Sequence, residues 1–294
     1  AGIIRAVGDP NLRFQEDALR ILRGIRFAAV LGFRLEPETE QAARAYAPLL
    51  KKVSAERIAQ ELFKLLCGRD AGRILTTYPD ILGQVIPELL PMVGFYQQNV
   101  HHCHDLLTHT AVAVDHAPPV LHLRLAMLLH DIGKPGSFSV DEMGVGHFLG
   151  HAALGAELAD EILHRLKASN ALREEVLFLI KHHMDRWPCE EKAARRCLSR
   201  HGLQKMERLT QLQMADFGGD AGDAALEDWL ALLRTIAQRE GELTLKTLAV
   251  SGRDLMALGY QGKAIGLELN RLLNLVLEEQ CENTREALTA ALMK

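Results

Sequence analysis

His130 and Asp131 are adjacent, and they follow a run from Val120 to Leu129 that is apolar enough to be a buried helix. An ionisable pair at the end of such a helix carries a desolvation cost that something must offset. One offset is a hydrogen bond between the two side chains, the ordinary arrangement of a buried histidine beside a carboxylate. The other is a divalent cation held by both. Histidines and acidic residues recur along the chain around this pair: His109 in Leu106–Thr110, then His147 and His151, then the consecutive His182 and His183, and Asp216. Imidazole with carboxylate suits Mn, Fe, Ni, Co or Zn, or Mg with more waters, and ligand type alone does not choose among them. An ion with protein ligands on one side keeps positions for water and an anionic oxygen, so it can generate hydroxide and stabilise developing negative charge. Lys134, three residues after Asp131, is either a phosphate-binding cation or a solvated lysine behind the helix. His182 and His183 point about 100 degrees apart on a helix, so at most one faces a common site unless the helix ends there. His101, His102 and His104 read as a loop or substrate-pocket run.

A second candidate lies in the basic stretch Arg13 to Phe27. Asp17 and Arg20 are three residues apart, which puts them on one face of a helix. A carboxylate acceptor beside a guanidinium fork matches the donor and acceptor edge of cytosine or adenine; the same pair is also a plain intrahelical ion pair. Arg13, Arg20, Arg23 and Arg26, with Lys51, Lys52 and Arg57, make this block the expected basic wall for an RNA backbone. The net charge of -4 gives no global signature of nucleic-acid binding, so any basic face has to be local.

The elements that position these residues read as helices. Leu19, Leu22, Ile25 and Ala29 share a helical face, as do Ile58, Leu62, Leu65 and Leu66, then Leu158, Ile162, Leu163 and Leu166. Alternating strands are absent and aromatic content is 5%, so the chain is expected to be all-α. At 294 residues it has length for more than one domain, and 48% hydrophobic content argues against disorder. The breaks predict four blocks: 1–68, 69–96, 97–218 and 219–294. No apolar run reaches about 18 residues and no targeting segment opens the chain, so no membrane partner is expected. Five cysteines without a Cys-x-x-Cys pair support neither a disulfide framework nor a zinc ribbon, which fits a reducing cytoplasm. The first residue is Ala1 rather than Met, which suggests a trimmed chain and a missing N-terminal domain.

The order His109, His130-Asp131, Asp216 resembles the HD superfamily of metal-dependent phosphohydrolases. The resemblance implies that these four residues ligate one divalent metal. The further order His151, His182-His183 is similar to members holding two metals. Glu16-Asp17-x-x-Arg20, then Arg26-Phe27-Ala28-Ala29-x-Leu31-Gly32-Phe33, then Val53-Ser54-Ala55-Glu56-Arg57-Ile58-x-x-Glu61-Leu62 resemble the neck of bacterial tRNA nucleotidyltransferases, which include CCA-adding enzymes and poly(A) polymerases. The segment Leu248–Tyr260 with Gly262, Gly266 and Asn283–Leu288 is similar to their tRNA-binding tail.

This second resemblance implies that Asp17 and Arg20 pair with the base of CTP or ATP, supported by Arg57 and Glu61, and that tRNA is the partner. It also implies a head domain with a Gly-rich loop and an Asp-x-Asp metal pair, which nothing before Ala1 supplies, so nucleotide addition is not expected of this chain alone. The expected domains are a neck over 1–68, a body over 69–96, an HD-type domain over 97–218 and a tail over 219–294. The expected activity is that of the HD site, a phosphatase or 2′,3′-cyclic phosphodiesterase. The alternatives are a tRNA-binding module with a structural or vestigial HD domain, and a stand-alone HD nucleotide phosphohydrolase. In the tail, Gly252, Gly259, Gly262 and Gly266 are expected at helix ends, where free N–H groups and Lys263 could receive phosphate.

Overall fold

The computed structural model describes residues 2–96, 104–217 and 224–292, and they form two compact units. The first comprises residues 1–185 with 211–221, the second 186–210 with 222–294. The expected neck and body fall wholly within the first unit, and the expected HD-type block is divided between the two. The described residues are overwhelmingly helical, and the only strands among them are two-residue pairs, so the all-α reading holds. No helix among them is long and apolar enough to cross a membrane. His101 and His102 lie outside the described residues.

In the first unit, β1 (Ile3–Ile4) pairs in parallel with β2 (Arg34–Leu35). Helix α1 (Pro10–Glu16) starts on the Asp9 cap with proline in its first turn, where a missing N–H costs nothing. Helix α2 (Leu19–Leu31) buries Leu19, Ile21, Leu22, Ile25, Ala28 and Ala29 and stops at Gly32, whose φ of 70° suits glycine. Helices α3 (Pro37–Tyr46) and α4 (Ala55–Leu66) follow, and the expected Ile58, Leu62, Leu65 and Leu66 stripe of α4 packs on α2. Helices α5 (Ala71–Thr77) and α6 (Pro79–Leu82) lead to a 3-10 turn over Pro87–Met92.

Helix α7 (Leu106–His116) packs along α5, and a Cβ on Gly72 would lie 2.3 Å from the carbonyl oxygen of Ala111, so only glycine lets the two backbones approach. Helix α8 (Leu121–Leu129) is buried from Leu123 onward and touches α4, α7, α10 (His151–Arg165) and α11 (Asn170–His182). Each of its buried leucines contributes about 1.5–3 kcal/mol of apolar burial. Its one charge, Arg124, is offset by Asp115 at 3.5 Å and by the carbonyl oxygens of Pro118 and Asp115. Beyond α8 come α9 (Lys134–Ser137), an antiparallel hairpin of β3 (Ser139–Val140) and β4 (Gly146–His147), α10 (His151–Arg165) and α11 (Asn170–His182).

In the second unit, α12 (Glu191–His201) packs against α14 (Ala224–Glu240), and α13 (Leu203–Asp216) begins there before its last turns enter the first unit. Buried Arg195 is held by Glu240 at 2.8 Å, Glu191 at 2.7 Å and Glu279 at 2.6 Å. Helices α15 (Gly252–Ala257), α16 (Lys263–Leu277) and α17 (Arg285–Leu292) close over Leu255, Leu272, Val276 and Leu288. Ser251 and Asp254 cap α15 reciprocally, and Gly262 caps α16. Gly266 departs from expectation: it lies inside α16 rather than at a helix end, so its N–H is within the helix.

Candidate metal centre

Five segments of the first unit bring their ends to one point. His109 sits in the first turns of α7, His130 and Asp131 follow α8, His151 opens α10, His183 follows α11 and Asp216 ends α13. The approach of α10 to the turn after α8 requires Gly133, because a Cβ there would lie 2.3 Å from the carbonyl oxygen of His151. Asp131 and His130 are each only 1% exposed.

The backbone sets the tautomers. Nδ1–H of His130 donates to the carbonyl oxygen of Met127 at 2.7 Å, that of His151 to Phe148 at 2.8 Å and that of His183 to Ile180 at 2.7 Å. Each Nε2 is thereby turned toward the cluster, the orientation that metal-ligating imidazoles take from such outer contacts.

The donors divide into two groups that share one carboxylate. Oδ2 of Asp131 lies 3.2 Å from His130 Nε2 and 3.8 Å from His109 Nε2, while Asp216 Oδ1 lies 3.1 Å from both imidazoles. Oδ1 of Asp131 lies 3.6 Å from His151 Nε2 and 3.8 Å from His183 Nε2. Donors bonded at about 2.0–2.2 Å to one ion lie roughly 3–3.5 Å from each other, so the spacing fits or slightly exceeds that of two coordination spheres.

Two observations show that a cation fits. The Nε2 atoms of His151 and His183 face each other at 3.2 Å although both Nδ1 positions already carry the donated proton, which sets two lone pairs against one another. His130 Nε2 is buried and aligned with no hydrogen-bond acceptor despite the two carboxylates beside it.

The electrostatics agree. Burial alone would lower the pKa of His130, but Asp131 and Asp216 push it up to about 10. Burial would raise both carboxyls, yet the His130 charge holds Asp131 and Asp216 well below the usual carboxylate range, with Lys134 adding to the effect on Asp131. Burial, reinforced by the charge on His130, lowers His183 to about 4.

The structure places the remaining expected residues as follows. Lys134 is buried, with Nζ 2.7 Å from Asp131 Oδ2, so it is no solvated lysine. His182 lies apart from the two groups: its Nδ1 pairs with Asp185 Oδ2 at 2.6 Å, because the helical turn that aims His183 inward rotates its neighbour away. Gln213, one turn before Asp216 on α13, was not singled out from sequence. Its Nε2 donates to the carbonyl oxygens of His183 and Asp185, tying the helix that carries Asp216 to the turn that carries His183. Its spacing from Asp216 was the available signal; its backbone partners left no trace in the sequence.

In the neck, Asp17 and Arg20 do not share one continuous helix. Asp17 has φ of −152° between α1 and α2, and its carboxylate accepts the N–H of Leu19, which breaks the helix before Arg20. Asp17 pairs with Arg57 at 2.8 Å and Arg20 with Glu16 at 2.6 Å. Asp17, Lys52, Ser54 and Arg57 line a cavity of about 350 Å³, whereas Arg13, Arg20, Arg23 and Phe27 line another of about 390 Å³. Glu61 supports neither; it pairs with Arg26 at 2.6 Å between α2 and α4, which also removes Arg26 from the expected basic wall.

Comparison with known proteins places these features together. Residues 32–89 match the family described as a probable RNA and SrmB-binding site of polymerase A, and residues 102–216 match the HD domain. The chain is 38% identical over 296 residues to the CC-adding tRNA nucleotidyltransferase of Thermus thermophilus, covering 95% of this chain and 66% of that protein. It is 36% identical over 274 residues to the A-adding tRNA nucleotidyltransferase of Deinococcus radiodurans, covering 87% and 62%. Among solved structures it resembles the Bacillus stearothermophilus CCA-adding enzyme in complex with CTP, with a TM-score of 0.69 and 27% identity over 99% of this chain and 65% of that one. The chain therefore spans from 62% to 66% of the length of these two curated relatives.

Proposed function

The chain belongs to the bacterial tRNA nucleotidyltransferase and poly(A) polymerase family and carries an HD domain, and from that premise we propose that its metal centre hydrolyses phosphoesters, as a phosphatase or 2′,3′-cyclic phosphodiesterase acting on RNA ends or nucleotides. One observation carries this reading: the two oxygens of Asp131 face two separate imidazole groups. His109, His130, Asp131 and Asp216 would hold one ion, and Asp131, His151 and His183 a second. Divalent ions so bound supply Lewis acidity that lowers the pKa of water and offsets charge on a phosphate oxygen. The protein's part is positional. Met127, Phe148 and Ile180 fix the imidazoles through their carbonyls, and Lys134 anchors Asp131 while placing an ammonium where a phosphate would approach.

The neck serves nucleotide and tRNA recognition in this proposal. Asp17, Arg20 and Arg57 are the groups offered to a base of CTP or ATP, and each is now held in an exchangeable surface pair.

A second reading has its own support. Lys134 and a protonated His130 neutralise Asp131 and Asp216 without any ion, which is what a purely structural HD domain in a tRNA-binding module would need. Elemental analysis with turnover of 2′,3′-cyclic AMP and of a phosphomonoester separates the two. The hydrolase reading expects bound metal and turnover that His130→Ala abolishes. RNA binding with neither metal nor turnover, even after reconstitution with each candidate ion, establishes the binding module.

A further inference from the structure

Phe138 and Phe148 flank the β3–β4 hairpin, with ring centres 5.4 Å apart and planes tilted by 30°. Phe95 stands edge-on to both, at 5.3 and 6.3 Å. All three keep part of their surface open to solvent, unlike the side chains of the helical core. Two links tie the cluster to the metal centre. The carbonyl oxygen of Phe148 accepts Nδ1–H of His151. Nζ of Lys134, which pairs with Asp131, lies 5.5 Å from the centre of the Phe148 ring.

The path from Asp131 through Lys134 to that ring is comparable to the reach from a nucleotide's phosphate across its ribose to its base. The same hairpin segment exposes further apolar side chains at Val140, Val145 and Leu149. Partly open aromatic rings with an ammonium over one of them suit a ligand that carries both a flat π-system and a phosphate.

We propose that Phe138 and Phe148 form a stacking platform for the nucleobase of the substrate, whose phosphate lies at the Lys134 and Asp131 end. The proposal rests on the phosphohydrolase reading and adds specificity to it: the site selects nucleotides over base-free phosphoesters. Stacking tolerates any base, because every base has a π-face, so the platform does not discriminate among the four.

The test is calorimetric binding of AMP and of ribose 5-phosphate to the Mn-loaded full chain, with turnover of both followed in parallel. AMP is expected to bind about tenfold or more tighter than ribose 5-phosphate. Phe148→Leu and Phe138→Leu keep apolar bulk but remove the ring, and each should bring that ratio toward one. Phe138 makes no bond to His151, so its variant guards against a mere disturbance of the ligand. AMP that binds no better than ribose 5-phosphate, or variants that weaken both ligands alike, overturn the platform. Base preference without turnover of either compound refutes hydrolysis and leaves the platform standing; turnover without base preference does the reverse.

Discussion

The metal centre gathers histidine, lysine and carboxylate side chains and the neck gathers arginine, lysine and carboxylate side chains, but they do so in opposite dielectric surroundings. Asp131 and His130 are almost wholly buried, and main-chain carbonyls fix the ring orientations of His130, His151 and His183. The neck pair Asp17–Arg57 is 31% and 51% exposed at its side chains, and Glu16–Arg20 is 50% and 41% exposed. Charges in the first setting interact strongly and cannot be left without a partner; charges in the second are screened and can change partners cheaply. The difference suits the proposed roles: one constellation preorganised for a cation, the other free to exchange an ion pair for a base edge.

The sharpest way to break this comparison is to remove Asp131. Asp131→Ala leaves His130 and Lys134 facing a buried gap, and breaking such a buried pair costs about 3–5 kcal/mol. Denaturant melts in chelator should show that loss, and metal binding should disappear with it. A loss below about 1 kcal/mol, in the range of an exposed pair, would mean that the centre is no more demanding than the neck.

The next effect is a proton linkage. His130 has a folded pKa of about 10 against an ordinary value of 6.5, so in the metal-free protein its pairing contributes stability that is fully present below pH 6.5 and is lost as pH rises through 10. A metal takes the neutral imidazole, so uptake must release that proton. Affinity should therefore rise by about tenfold per pH unit between roughly pH 7 and 9. Calorimetry in buffers of different ionisation heat measures the released proton directly. Affinity that is flat over that interval would show that metal uptake displaces no proton from His130.

Much of this contrast was legible from sequence, and its limits have physical causes. The helical stripes of α2 and α4 follow from 3.6-residue periodicity, and the apolar run before His130 announced a buried helix. His109, His130, Asp131 and Asp216 could be put in order, yet only the fold could show that their ends meet. The choice between His182 and His183 depended on where α11 stops, which local pattern does not resolve to one residue. Asp17 was misplaced for a related reason: an aspartate can accept the N–H two residues on and break a helix that periodicity would continue. Gln213 and the Phe95–Phe138–Phe148 cluster were hidden because their partners are backbone atoms or rings distant in sequence.

A subtler division lies inside the metal centre. His151→Ala removes an imidazole only from the Asp131 Oδ1 side, while His109→Ala acts only on the Oδ2 side. If two ions bind, elemental analysis should show each variant retaining about one of them, with affinity at the altered position down by about 100-fold or more. Both variants losing all metal would mean a single shared ion and would contradict the division of Asp131's oxygens.

The smallest effect belongs to the neck. Arg57→Ala removes a half-exposed partner from Asp17, so thermal stability should change by no more than about 1 kcal/mol. Burial would raise the Asp17 pKa, but the hydrogen bond from Arg57 holds it below the usual value. The pair's contribution is therefore present above the ordinary aspartate pKa and fades as pH falls through the lowered one. The variant should flatten that acid limb slightly. Its larger consequence is in binding: if Arg57 contacts an RNA phosphate, the slope of log affinity against log salt should fall by about one. If Arg57 only orients Asp17, the salt slope stays and nucleotide affinity falls. Stability lost on the scale of Asp131→Ala would show that the neck pair is as constrained as the metal centre, and the claim that it can open for a base would fail.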